Sequence, residues 1–170
     1  VGNLFNIQGP IIGENGAFLY IDGKHFILLT SAQQTIFVKG KKRIKQEIIK
    51  FFEQQKGKKV YWEDVDTVTV LSKQKNYSYP NGSILILTNK FRKFSISSHI
   101  KYVENNKIYD ATIEVSELTD YLRKLNLEGL EINYSSLFWN LLVTVKNVTK
   151  RTALDFLKRN QYNDYSFSAI

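Results

Sequence analysis

Residues 17–40 read AFLYIDGKHFILLTSAQQTIFVKG, and how they divide sets the kind of protein this is. Two apolar runs, AFLYID (17–22) and HFILLTS (25–31), flank Gly23-Lys24. Asp-Gly between runs of this type favours a tight hairpin, because such turns need positive φ at their centre. QTIFVKG (34–40) supplies a third run, so the stretch is expected to fold as a three-stranded meander.

The period then changes. Ile44, Ile48, Phe51 and Phe52 fall at i, i+4, i+7 and i+8, one face of a helix, with Gly57 placed to end it. Strand spacing returns in VYWEDVDTVTVL (60–71), and a polar loop (72–82) turns at Pro80-Asn81-Gly82. SILILT (83–88) and KFSIS (93–97) are expected to pair around Asn89 to Arg92. A further helix is expected from Val115, capped by Ser116, with Leu118, Tyr121, Leu122 and Leu125 as its stripe. Beyond it, Phe138, Leu141, Val145, Val148, Thr152 and Phe156 lie close to one helical stripe. The organisation read is an N-terminal extension (1–12), a domain (13–127) and a helical extension packed on it (128–170).

Composition bounds the function. The chain has 170 residues, 43% hydrophobic and 14% aromatic, enough to bury a core and too apolar for the disordered class. It has no cysteine, which removes thiol nucleophiles, thiolate zinc sites and disulfides. It also has no methionine, so trimming or processing ahead of Val1 is expected. The apolar run LFWNLLVTV (137–145) is too short to span a bilayer. A soluble piece is expected, in the cytoplasm or at the inner face of a membrane.

Three stretches resemble pleckstrin-homology-like domains of the GRAM or bacterial PH type. GKHFILLTSAQQTIFVKG (23–40) is similar to the family's first hairpin, with Leu29-Thr30 and Ile36-Phe37 in place. VYWEDVDTVTV (60–70) resembles the strand that follows it. SILILTNKFRKFSIS (83–97) and SELTDYLRKLN (116–126) resemble the later hairpin and the helix that plugs one end of the barrel. The chain departs at Gln33-Gln34, where the family carries a basic residue, and in the helix at 43–56, an insertion. The resemblance implies an α+β fold: a PH/GRAM-like antiparallel β-barrel or sandwich, with an inserted amphipathic helix and C-terminal helices. It also implies a binding module for membrane phosphoinositides or proteins.

The residues themselves give catalysis little support. LLTSAQ (28–33) also looks like the stretch that delivers the catalytic histidine of chymotrypsin-like proteases, but Gln33 stands there and cannot act as a general base. His25 and His99 have no neighbouring ligands at metal spacing, so no metal and no cofactor are expected. Asp64 and Asp66 share a strand face while Glu63 points away, an arrangement better suited to a turn or edge than to paired acid–base work.

Charge is more informative. Residues 39–59 hold nine basic residues and two acids, +7 of the chain's +8. Such a run is either the wet side of a helix or a grip for an anionic surface. The expected anion- or phosphate-binding residues are Lys39, Lys41, Lys42, Arg43 and Lys45, joined by Lys90, Arg92 and Lys93 of the later hairpin. Phe51 and Phe52 could serve as an amphipathic wedge in such a surface. Phe138, Trp139 and Leu142 form an apolar candidate for partner binding. The expectation is a non-catalytic module that presents basic loops to an anionic membrane lipid or an acidic protein surface. The alternative is a protein–protein assembly or self-association module, a homo-oligomer included. Nucleic acid ranks below both, because no ordered alternation of aromatic and basic residues accompanies the charge.

Overall fold

The computed structural model describes residues 9–65, 79–135 and 140–160. Its first element is a small antiparallel sheet of β1 (Ile11–Gly13), β2 (Phe18–Ile21) and β3 (Lys24–Ile27). The β2–β3 hairpin turns as expected at Asp22 (φ 49°) and Gly23 (φ 76°).

The third strand of the meander is not there. Residues 34–40 belong instead to a long helix, α1 (Ser31–Lys50), which closes in a π-helical turn over Phe51–Gln55. Its start is fixed by a capping box. The Gln33 N–H donates to Thr30 Oγ1 at 3.2 Å, and the Thr30 N–H donates to Gln33 Oε1 at 2.9 Å. The expectation of a strand weighed the β-branched run and overlooked Thr30-x-x-Gln33, which satisfies the orphan donors of a helix start. Helical spacing then places Phe37 in the core with Ile44, Ile48 and Phe52.

The larger sheet is mixed. It comprises β4 (Val60–Val65), β5 (Ile84–Asn89), β6 (Ser95–Glu104), β9 (Asn140–Val145) and β8 (Leu130–Ser135) in that order, with β7 (Lys107–Asp110) also on β6. β4 and β5 run parallel and the other pairs antiparallel. Among the described residues neither sheet closes, so the barrel expected from the resemblance is corrected to two open sheets in an α+β fold.

One face of the sheet packs against α1 and α2 (Thr112–Lys124), burying Ile84, Ile86, Ile100, Leu141 and Val143 with Val115, Leu118 and Leu122. The opposite face buries Leu85 and Leu87 with Val65, Tyr61, Tyr79 and Ile108. β5 is therefore apolar on both sides, as an interior strand should be. α2 begins three residues before Val115, so Ser116 lies inside the helix and exposed rather than at its cap.

The helical reading of 128–170 is corrected at Leu130–Ser135 and Asn140–Val145, since β8 and β9 extend the main sheet past Leu127. Leu141, Val143 and Val145 alternate into the core, and the apparent helical spacing was a coincidence of that pattern with neighbouring apolar residues. Among the described residues there, α3 (Lys150–Arg159) is the helical part, seated against the small sheet through Leu157, Leu19 and Ile21. Gly16 (φ 96°) permits that seat, because a Cβ on it would lie 1.9 Å from the Thr149 carbonyl oxygen.

Candidate anion-binding site

β4 carries Trp62 and Asp64 on the sheet face that α1 partly covers, by the period of two along a strand. Thr88, on the neighbouring β5, links them. Its hydroxyl accepts the Trp62 Nε1–H at 3.0 Å and donates to the Asp64 carboxylate. One hydroxyl thus fixes both the indole plane and the carboxylate.

Lys41 and Lys45 stand one helical turn apart on the flank of α1 that faces this wall. The Lys45 Nζ lies 4.7 Å from the centroid of the Trp62 ring, a cation–π contact. Lys90 comes from the β5–β6 hairpin. Together these residues line a pocket of about 170 Å³, completed by Asn89, Ser95, Ile96 and Ser97. That is smaller than the roughly 300 Å³ at which pockets begin to hold drug-sized ligands. It suits a single small ionic group.

The far wall is held by hydrogen bonds. Asn140 Nδ2 donates to Ser97 Oγ at 2.7 Å, and Arg92 Nη1 donates to Ser95 Oγ at 3.1 Å. The Glu14 carboxylate, from the small sheet's first turn, accepts the N–H groups of Lys93 at 3.0 Å and Phe94 at 2.6 Å. The hairpin that supplies Lys90 is therefore pinned at its base. Such backbone bonds to an ionised acceptor are among the stronger kinds.

Of the eight basic residues expected to bind an anion, the structure brings Lys41, Lys45 and Lys90 to one pocket. Arg92 braces its wall through Ser95. Lys93 is exposed beside it on the same hairpin. Helical geometry turns Lys39 and Arg43 to the opposite side of α1 and Lys42 to its outer flank, and all three are exposed. Phe51 and Phe52 are buried, at 4% and 0% exposure, so the proposed wedge is core. Phe138 and Trp139 lie outside the described residues. Leu142 is half-buried on the sheet face away from α1 and α2, between Leu141 and Val143 that point into the core.

Sequence reasoning missed Trp62 as a site residue. Its signal was available, since Trp62 and Asp64 share a face, but only the fold shows that α1 lays Lys45 over that face. Elsewhere, a hollow of about 330 Å³ between α2 and β8 mixes Arg123 and Lys146 with Glu131. The Arg123 Nε–H is engaged by the Ile132 carbonyl at 3.0 Å, so that hollow offers an anion less.

Among the described residues no helix is long and apolar enough to cross a membrane. Compared with models of protein families, curated proteins and solved structures, the chain matches none.

Proposed function

We propose that this domain is a non-catalytic binding module that docks on an anionic membrane surface, with a lipid phosphate seated among Lys41, Lys45 and Lys90. The observation that carries the reading is the convergence of lysines from α1 and from the β5–β6 hairpin on one small pocket. Its lining provides one carboxylate, Asp64, against three ammonium groups. Cations gathered in this way repel one another, and an arriving anion relieves that repulsion.

The pocket's side chains favour holding over transforming. They are cations, hydroxyls, an amide, one carboxylate, the Trp62 indole and the Ile96 side chain, with no histidine among them. Kinship with PH/GRAM-like domains belongs to the same proposal. The β5–β6 hairpin and α2 are in keeping with that resemblance, and the open sheets depart from it.

The test is co-sedimentation with neutral and anionic vesicles, for the wild type and for Lys41→Glu/Lys45→Glu/Lys90→Glu. Each lysine near an anionic surface contributes about 1 kcal/mol, so losing three lowers partition by at least about a hundredfold. The expected result is that loss with an unchanged melting curve. Equal partition of the triple variant would refute the pocket's role. Absence of wild-type binding to every vesicle would refute membrane docking and leave an acidic protein surface or self-association.

A further inference from the structure

Phe91 is the aromatic ring that the described fold leaves most open to water, at 68% exposure. A single exposed apolar residue needs no explanation by itself. Its setting sets Phe91 apart. It stands at the tip of the β5–β6 hairpin between Lys90 and Arg92, and Lys90 also lines the pocket. The Lys90 Nζ lies 5.0 Å from the Phe91 ring centroid, so ring and cation project together.

The tip is also held in shape. The Phe91 N–H donates to Asn89 Oδ1 at 2.9 Å, and Glu14 pins the chain at Lys93 and Phe94, just before β6. An apolar ring on a braced tip, flanked by cations, complements a surface with apolar depth and negative charge. A bilayer interface containing anionic lipid has both.

We infer that Phe91 is the apolar anchor of the membrane-docking surface, entering the interfacial zone while Lys90 and Arg92 meet lipid phosphates beside it. This rests on the docking proposed above and adds a second, chemically different contact. The two contacts respond differently to salt. Attraction between lysines and headgroups is screened as ionic strength rises, whereas burial of the ring is not. Wild-type binding to anionic vesicles is therefore expected to leave a salt-resistant remainder that a polar residue at 91 removes.

The experiment compares wild type, Phe91→Ser and Phe91→Leu on phosphatidylcholine vesicles with and without phosphatidylserine, at low and high salt. Because the chain has no cysteine, Phe91→Cys also takes a single environment-sensitive label, read against lipids with brominated acyl chains. The expected result is about a tenfold weaker partition for Phe91→Ser, little change for Phe91→Leu, and quenching of the label. The ring's exposure predicts unchanged melting for all variants. If wild type binds and Phe91→Ser binds equally well, or the label is not quenched, the anchor is refuted and docking stands. If wild type binds no anionic vesicle, docking and anchor are refuted together.

Discussion

Replacing Gly40 with alanine sets two effects of known size against each other. In the middle of a helix the change is favourable by about 0.5–1 kcal/mol, because glycine loses more backbone entropy on folding. Here, however, the new methyl would lie 2.4 Å from Leu130 Cδ1 and 3.3 Å from its Cγ. Two Leu130 atoms are crowded at once, so rotating the side chain's end does not clear the contact. Leu130 is only 8% exposed and packed in the main core, which leaves it little room to move. Inserting a methyl into such packing costs about 1–3 kcal/mol. The steric term wins, and Gly40→Ala is expected to destabilise the protein by about 1 kcal/mol. That corresponds to a fall in Tm of about 2–4 °C for a chain of this size. In a Leu130→Ala background the obstacle is gone, and the same substitution is expected to stabilise by about 0.5–1 kcal/mol. Urea unfolding of the four proteins yields the coupling, expected near 2 kcal/mol. Stabilisation by Gly40→Ala with Leu130 in place would refute the seating of α1 on β8.

Gly16→Ala is expected to cost more, above about 2 kcal/mol, since its obstacle is backbone and its φ is 96°; chemical denaturation measures it. Thr30→Ala removes the capping box and is expected to lower stability by about 1 kcal/mol, with Thr30→Ser largely restoring it in the same assay. Tyr121 donates its hydroxyl proton to Glu47 Oε2 at 2.6 Å, joining α2 to α1. That hydrogen bond, followed by burial and the Glu47 charge, raises the Tyr121 pKa above its ordinary 10.0. The protonated phenol is therefore favoured by folding. Its stabilisation is full below pH 10 and is lost as pH rises through the folded value. Tyr121→Phe is expected to lose about 1 kcal/mol at neutral pH and to flatten this alkaline slope relative to wild type. Melting curves of both proteins across alkaline pH check it.

The sequence disclosed most where a local rule had no competitor. Asp22-Gly23 marked its hairpin, and the spacing of Ile44, Ile48, Phe51 and Phe52 marked the buried face of α1. Residues 34–40 were misread because Thr35 to Val38 fit a strand by composition, whereas the cap at Thr30 commits them to a helix. Strand β9 was misread because Leu141 and Val145, four residues apart, satisfy a helical period as well as a strand's. In the first case a local cap overrides composition, and in the second tertiary packing decides between two periods. The site was legible in part. Lys41, Lys45 and Lys90 were picked out by charge, but charge cannot tell which lysines of a helix face a strand. Separating Lys41 and Lys45 from Lys39 and Arg43 requires knowing which flank of α1 meets β4. Lys45 over Trp62 could not be foreseen for the same reason, since it joins a helix to a strand that are not hydrogen-bonded neighbours.

The most direct measurement uses that contact. With Trp139→Phe, Trp62 is the sole tryptophan, and its emission reports on the pocket it lines. An anion seated among the lysines draws Lys45 off the ring. The expected result is a change in Trp62 emission that tracks the fraction bound to anionic vesicles, is absent with neutral ones, and is lost in Lys41→Glu/Lys45→Glu. Unchanged Trp62 emission while the protein is bound to the vesicles would contradict a phosphate site in this pocket.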